Sequence, residues 1–171
     1  IYLLQAYKQV PVELNASLLL VGEGKQRDAL ARYIEDNNFE HVHFIGYVPN
    51  EELAAYYTLA DVFVLPSVTT KTLKEVWGIV LNEAMNRGCP VIATTAVGAA
   101  VGGLVQEGKN GVVVAERDPK ALRDAILQIL SDEGKLQRMR NFTANAIKAW
   151  DTNKSFKGFQ EAIGYVTKRV R

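Results

Sequence analysis

The amino-acid sequence predicts an α/β fold, a Rossmann-like parallel sheet with helices on both faces. Short runs of apolar, β-branched residues alternate with longer segments of helical periodicity along the chain. These short runs are continuously apolar rather than alternating, which is typical of strands buried on both faces of a sheet. Strands that alternate with helices form right-handed βαβ crossovers, so the sheet is predicted to be parallel with a helical layer on each side.

Five apolar runs are predicted to be the strands. The first three are followed at once by glycine or proline, residues that favour a turn. The predicted strands are residues 17–21, 41–45, 61–65, 90–94 and 111–114.

Helical spacing fills the segments between these runs. Asn50 is predicted to cap a helix whose first turn contains Glu51 and Glu52, where the helix dipole favours acidic side chains. Asp118 followed by Pro119 predicts a second N-cap, with proline at the first helical position. The predicted helices begin at residues 1, 25, 50, 78, 119, 133 and 154.

Composition limits the classes of function. A chain of 171 residues suits one domain with one continuous core. Its net charge of +1, from 20 basic and 19 acidic residues, gives no field that argues for a nucleic-acid partner or a membrane surface. Cys89 is the single cysteine, so an internal disulfide is excluded, and its apolar surroundings predict a small buried residue.

The residues that follow each strand are the candidates for a site, because ligands of an open parallel sheet bind outside the carboxyl ends of the strands. Gly22 and Gly24 form a Gly-x-Gly turn before a helix, which either lets an anion approach the backbone or makes a tight turn. The third glycine of a dinucleotide fingerprint would fall at Arg27, so that fingerprint is incomplete.

The segment of residues 71–90 is the most informative. Glu75 lies in the loop before a helix that is predicted to begin near Gly78, and Glu83 lies a little more than one turn inside that helix. Both carboxylates can point into one crevice, where a carboxylate accepts paired hydrogen bonds from neighbouring sugar hydroxyls. Glu83 stands among apolar residues, so a ligand or a buried donor must satisfy it. A solvated helix face is the alternative for both glutamates.

Residues 75–85 resemble the Glu-x7-Glu signature of the retaining glycosyltransferase family 4, or glycosyl transferases group 1, in its form Glu-x-Trp-Gly followed by Glu-Ala. Further motifs occur in the order that this family has, over about residues 1–131. They are LVGEG at 20–24, FIGYVP at 44–49, ADVFVLPS at 60–67, GCPVIAT at 88–94, AVGAA at 96–100 and GKNG at 108–111.

The resemblance implies the GT-B arrangement, in which two Rossmann-like domains face each other across a cleft and the C-terminal domain binds the sugar nucleotide. Residues 1–171 would be a single nucleotide-sugar-binding domain that lacks its first strand and the N-terminal acceptor domain. The helix of residues 152–171 would pack back toward that domain. The helical pattern at residues 1–7 starts without a cap, which agrees with a fragment.

The resemblance also implies a role for each candidate residue. Glu75 would contact the donor hexose and assist at the reacting centre as the catalytic residue, and Glu83 would hold the ribose hydroxyls. Backbone groups would bind the hexose and diphosphate at Trp77, Gly78 and Ile79, the nucleobase at Gly46, Tyr47 and Val48, and the diphosphate end of the crevice at Gly22.

The implied reaction transfers a hexose from a UDP-, GDP- or ADP-linked sugar to a glycan or lipid-linked acceptor, with retention at the anomeric carbon, as in polysaccharide biosynthesis. The acceptor would bind through the N-terminal domain, so we expect the chain alone to be inactive. No cofactor and no metal is expected, since positive groups and a helix N-terminus would neutralise the leaving diphosphate. The full-length protein is expected in the cytoplasm, with or without peripheral attachment to a membrane.

Alternative functions stay open at this point. One is a sugar-nucleotide epimerase or polysaccharide synthase of the same fold, and another is a catalytically inert nucleotide-sugar-binding module. Residues 99–103 depart from the family, which commonly has a Pro-Glu or Pro-Asp pair there. Lys71 and Lys74 are the basic residues nearest the predicted phosphate site, where solvated loop lysines are the alternative.

Overall fold

The computed structural model of the chain describes residues 1–150 and 152–169. Within these residues, helices and parallel strands alternate as the sequence predicts. The elements are α1 (Tyr2–Tyr7), β1 (Leu18–Val21), α2 (Arg27–Asp36), β2 (Val42–Gly46), α3 (Asn50–Leu59), β3 (Phe63–Leu65), α4 (Ile79–Asn86), β4 (Val91–Thr94), β5 (Gly111–Val114), α5 (Pro119–Leu130), α6 (Glu133–Ala146) and α7 (Thr152–Arg169).

The strands form two parallel sheets. One has the order β1-β2 and the other the order β3-β4-β5. A doubly wound sheet has the strand order 3-2-1-4-5-6, with the first strand at the point where the order reverses. The two groups found here correspond to the 3-2 and 4-5-6 parts of that order. The predicted α/β fold with parallel strands and flanking helices is confirmed, whereas the lack of a first strand stays a prediction.

Burial differs between the two sheets. Every residue of β4 is buried, as a continuously apolar strand should be. The same prediction is wrong for β1, where Leu19 and Val21 remain 38% and 41% exposed. In the described part of the chain β1 pairs with β2 alone, so part of its surface stays in contact with water.

The core of the larger sheet consists of two hydrophobic clusters. Val91 and Ala93 belong to a cluster that includes Leu81 of α4, whereas Ile92 belongs to a cluster that includes Leu122 of α5. Successive side chains of a strand point to opposite faces. The two clusters therefore cover the two sides of β4, which makes this strand the centre of the domain.

The helix caps test the local predictions. The Asp118 carboxylate accepts a hydrogen bond of 2.9 Å from the Ala121 N–H, and Pro119 is the first residue of α5, so both predictions are confirmed. The predicted cap at Asn50 is wrong by one residue. The N-cap of α3 is Pro49, whose carbonyl accepts from the N–H of Glu52, and Asn50 is already helical.

The C-terminal helices lie close to their predicted positions. The helix predicted to begin at residue 133 does begin there, ends at Ala146 and is followed by a short 3₁₀ turn, Ile147–Ala149. In α7, Phe156, Phe159 and Ile163 are exposed. The packing of residues 152–171 against a further domain stays a prediction, and residues 170 and 171 lie outside the described part. Across the described residues, no helix combines the length and apolarity that a membrane span needs.

Cys89 is fully buried next to β4, as the sequence predicts. Burial raises the pKa of its thiol to about 12. The thiol therefore stays protonated at neutral pH and fills space in the core.

Replacing Asp118 with alanine tests the cap of α5. The substitution leaves the Ala121 N–H without its partner, and N-cap losses of this kind cost about 1 kcal/mol. Urea denaturation should show that loss of unfolding free energy. Asp124→Ala is the control, because its carboxylate pairs with Arg123 at the surface and should matter less. Equal stability of Asp118→Ala and the parent chain would contradict the capping role.

Candidate functional site

The segment between β3 and α4, residues 66–78, contains Glu75 and is here named the Glu75 loop. Its first part is attached to the end of β4. The Thr94 hydroxyl is buried and donates a hydrogen bond of 2.6 Å to the Ser67 carbonyl. Because β3 and β4 are paired in parallel, their carboxyl ends lie side by side and this short contact is possible.

The second part of the Glu75 loop is attached to the turn after β4. Glu75 forms an isolated parallel bridge with Val97, and the Gly98 N–H donates a 3.0 Å hydrogen bond to the Glu75 carbonyl. The Ala99 N–H donates in the same way to the Trp77 carbonyl, at 2.9 Å. Backbone contacts thus define the position of Glu75, while its half-buried side chain makes no hydrogen bond or ion pair within the described part of the chain.

Gly98 makes this approach possible. A Cβ at this position would overlap the Val76 carbonyl oxygen. Gly78, the N-cap of α4, is restricted in a similar way. It has a φ of 86°, and a Cβ there would lie 2.7 Å from a Val97 methyl carbon. Packing and the left-handed backbone therefore already require glycine at position 78, whatever the position binds.

Trp77 links the Glu75 loop to the rest of the domain through its side chain. Its indole N–H donates a 2.9 Å hydrogen bond to the Asn82 side-chain oxygen on α4. Its ring lies 5.9 Å from that of Trp150, centroid to centroid. Of the predicted backbone N–H donors, Trp77 and Gly78 directly precede α4, and Ile79 is its first residue. Unpaired N–H groups at the start of a helix favour an anion.

Glu83 contacts a buried tyrosine. The Tyr57 hydroxyl on α3 donates a 3.0 Å hydrogen bond to one carboxylate oxygen, Oε2. Burial raises the pKa of Tyr57, and the hydrogen bond and charge of Glu83 raise it further, so the hydroxyl remains a donor at neutral pH. The sequence requires either a ligand or a buried donor for Glu83, and the structure supplies the buried donor. Tyr57 itself is missed by sequence reasoning, because its partner lies 26 residues away.

The remaining predicted residues lie together at the carboxyl ends of β1 and β2. The Gly22 N–H donates a 2.7 Å hydrogen bond to the Gly46 carbonyl, and both glycines have positive φ angles, 119° and 77°. Val48 is buried, whereas Tyr47 is 75% exposed. The predicted site residues thus form two groups, one at the carboxyl end of each sheet. The assigned roles stay predictions.

The divergent residues 99–103 form most of a π-type turn, Ala100–Leu104, whose end residues Ala100 and Leu104 are buried. Gly103 within it has a φ of 94°, a conformation that favours glycine. Among residues 1–150 and 152–169, no three or more histidine, cysteine, aspartate or glutamate side chains are arranged to hold a metal ion.

The parallel strands, the crossover helices and the backbone-held loop at the strand ends define a Rossmann-like α/β domain. The chain belongs to the glycosyl transferases group 1 family, which matches residues 1–148. This match confirms the family resemblance of the motifs and reaches beyond the 131 residues over which the motifs occur.

Individual relatives agree with this assignment. The chain is 36% identical over 144 residues to the GDP-mannose-dependent α-(1-6)-phosphatidylinositol monomannoside mannosyltransferase of Mycobacterium tuberculosis. The alignment covers 81% of this chain and 37% of that protein. The chain therefore spans a little over a third of the length of this relative.

Solved structures confirm the fold. Sucrose-phosphate synthase from Thermosynechococcus elongatus superposes with a TM-score of 0.77 at 29% identity, over 97% of this chain and 42% of that one. Anabaena HepE in complex with UDP-glucose superposes with a TM-score of 0.77 at 25% identity, over 96% of this chain and 44% of that one.

Gly98→Ala tests the contact that places Glu75. The added methyl group must push the Val76 carbonyl away, and overpacking of this kind costs about 1–3 kcal/mol. Thermal denaturation should show the loss. Gly102→Ala is the matched control, because a Cβ there meets open space. Similar melting temperatures for the two variants would contradict the close approach.

Tyr57→Phe tests the partner of Glu83. Losing a hydrogen bond to a charged group should cost about 1.5–3 kcal/mol at pH 8. Because folding raises the pKa of Tyr57, the hydroxyl contributes its stability below the unfolded pKa of about 10 and loses it as the pH rises further. The difference between the parent chain and the variant, measured by urea denaturation, should therefore shrink at alkaline pH. Tyr56→Phe is the control, and a difference that grows above pH 10 would refute this account.

Proposed function

We propose that this chain is the donor-binding half of a retaining glycosyltransferase. The full-length protein transfers a hexose from a nucleoside-diphosphate sugar to a glycan or lipid-linked acceptor, which a separate N-terminal domain holds. The observation that carries this proposal is the placement of Glu75. Its backbone is held between β4 and α4, while its carboxylate stays without a protein partner among the described residues.

This placement suits group transfer without a metal. The Glu75 carboxylate accepts hydrogen bonds from the donor hexose and orients it at the reacting carbon. The first turn of α4, which begins after Gly78, offers N–H groups to the departing diphosphate. Fixed dipoles that face developing negative charge stabilise the transition state without reorganisation. No cofactor takes part in this scheme.

Glu83 and the turn after β2 bind the nucleoside in this proposal. Tyr57 orients the Glu83 carboxylate through one oxygen, and the other oxygen accepts from a ribose hydroxyl. Gly46, Tyr47 and Val48 frame the base, for which the exposed Tyr47 ring offers a stacking surface.

The donor that we propose is GDP-mannose. The mycobacterial relative, 36% identical to this chain, is described as GDP-mannose-dependent and as a mannosyltransferase. The description of that relative also names phosphatidylinositol monomannoside, which supports a lipid-linked acceptor. Anabaena HepE, at 25% identity, binds UDP-glucose, so uridine nucleotides are the alternative donors.

Calorimetric titration of this chain with GDP, UDP and ADP tests the proposal. We expect saturable binding of GDP that Glu83→Ala weakens about 10- to 100-fold, equivalent to losing a charged hydrogen bond of about 1.5–3 kcal/mol. Glu52→Ala, on the exposed side of α3, is the control and should bind like the parent chain.

Each contrary result has a separate meaning. Unchanged GDP affinity in Glu83→Ala would refute the ribose role. Selective binding of UDP or ADP would refute GDP-mannose as donor and leave the donor domain intact. Failure of the parent chain to bind any nucleotide at millimolar concentration would favour an inert module of the same fold.

A further inference from the structure

An ion pair after β5 holds the start of the Glu75 loop. The Glu116 carboxylate oxygen Oε2 accepts a 2.6 Å hydrogen bond from the Thr69 N–H, and the Arg117 guanidinium binds the same oxygen at 2.8 Å. A second nitrogen of that guanidinium donates to the Thr69 carbonyl. Both backbone groups of Thr69 are therefore held by two adjacent side chains that lie 47 and 48 residues further along the chain.

This attachment, here named the Thr69 clamp (Thr69, Glu116 and Arg117), complements the attachment of Glu75. Between the two points the chain makes one tight turn, in which the Thr70 N–H donates to the Leu73 carbonyl and the Leu73 N–H to the Thr70 hydroxyl. Side chains of this turn are exposed and add no packing. The path of the loop to Glu75 thus depends on its two ends, which two different strands hold.

We propose that Glu116 and Arg117 are positioning residues for the donor hexose, acting through the Glu75 loop. The inference rests on the proposed role of Glu75 in holding that hexose. Glu116 and Arg117 do not bind the donor themselves. They restrict the loop so that the Glu75 carboxylate meets the hexose in one orientation, which lowers the entropy cost of binding.

The hydrogen bonds of the clamp argue against direct donor binding by these two side chains. Two donors already occupy the Glu116 oxygen that faces the loop, and the Glu116 side chain is 25% exposed. The Thr69 N–H lowers the pKa of Glu116 by more than burial raises it, and Arg117 and Lys74 lower it further. Glu116 is therefore ionised at neutral pH, and the paired Arg117 has its charge offset and two of its nitrogens engaged.

The backbone of Arg117 is consistent with this role. Its φ of 60° lies in the left-handed region, which costs energy for a residue with a Cβ. This conformation lets one short segment after β5 present both an acceptor and a donor to Thr69. Glycine would adopt it more readily but has no side chain to reach the loop.

The test compares this chain with Glu116→Ala and Arg117→Ala. Hydrogen–deuterium exchange should show amides of residues 68–77 exchanging about tenfold faster in both variants, with β4 and β5 unchanged. The GDP affinity of each variant should stay within about twofold of that of the parent chain. The ratio of GDP-mannose affinity to GDP affinity should fall about three- to tenfold, because this ratio measures contacts with the hexose. Arg117→Lys, which keeps the charge but loses the fork of two donors, should lie between the parent and Arg117→Ala.

Two matched variants separate the possible failures. Glu107→Ala removes a different carboxylate, which accepts from the Val113 N–H of β5 at 3.2 Å and does not contact the loop, so it should change neither exchange in the loop nor the affinity ratio. Glu75→Gln should lower the ratio as far as the clamp variants do or further. If Glu75→Gln lowers the ratio and Glu116→Ala leaves it unchanged, the positioning role is overturned and the proposed function stands. If Glu75→Gln also leaves it unchanged, the role of Glu75 fails, and the inference built on it fails too.

Discussion

The candidate site depends on the close approach of two backbone segments, the Glu75 loop and the turn after β4. The approach needs a glycine at position 98, since any side chain there would overlap the Val76 carbonyl. Once the segments are in contact, the N–H groups of Gly98 and Ala99 bind carbonyls on both sides of Val76. Backbone hydrogen bonds therefore hold this end of the loop, and the Glu75 side chain takes no part in holding it.

Strand order explains why so many attachments meet here. The adjacent parallel strands β3, β4 and β5 bring three carboxyl ends together, and the Glu75 loop crosses them. Thr94, the last residue of β4, binds Ser67, and Gly98 in the turn after β4 binds Glu75. Glu116, which follows β5, binds Thr69. A loop that starts at one edge of this sheet is thus held successively by its other strands.

The carboxylates of Glu116, Glu83 and Glu75, near this sheet edge, differ in their hydrogen-bond partners. These partners indicate whether a carboxylate stabilises the fold or is available to a ligand. Glu116 is paired with a cation and a backbone N–H, an arrangement that keeps a carboxylate ionised and occupied. Glu83 has one neutral donor, Tyr57, which orients it without cancelling its charge. Glu75 has backbone support only. The availability of each carboxylate for a sugar increases in that order, which matches the roles proposed for them.

The sequence by itself determined the local features: the alternation of strands and helices, the bounds of β5, the Asp118 cap and a glutamate placed before a helix that starts after Gly78. Periodicity and capping act over a few residues, so one sequence suffices to predict them. The predicted N-cap at Asn50 is nevertheless wrong by one residue, because the Pro49 carbonyl already accepts the hydrogen bond from the Glu52 N–H in the first turn of α3. Tertiary structure alone decided the partners of Glu83 and Thr69 and the exposed surface of β1. The partners of Glu83 and Thr69 lie 26 and 47 residues away along the chain, and the exposure of β1 depends on which strands pair. No local sequence pattern specifies such long-range contacts.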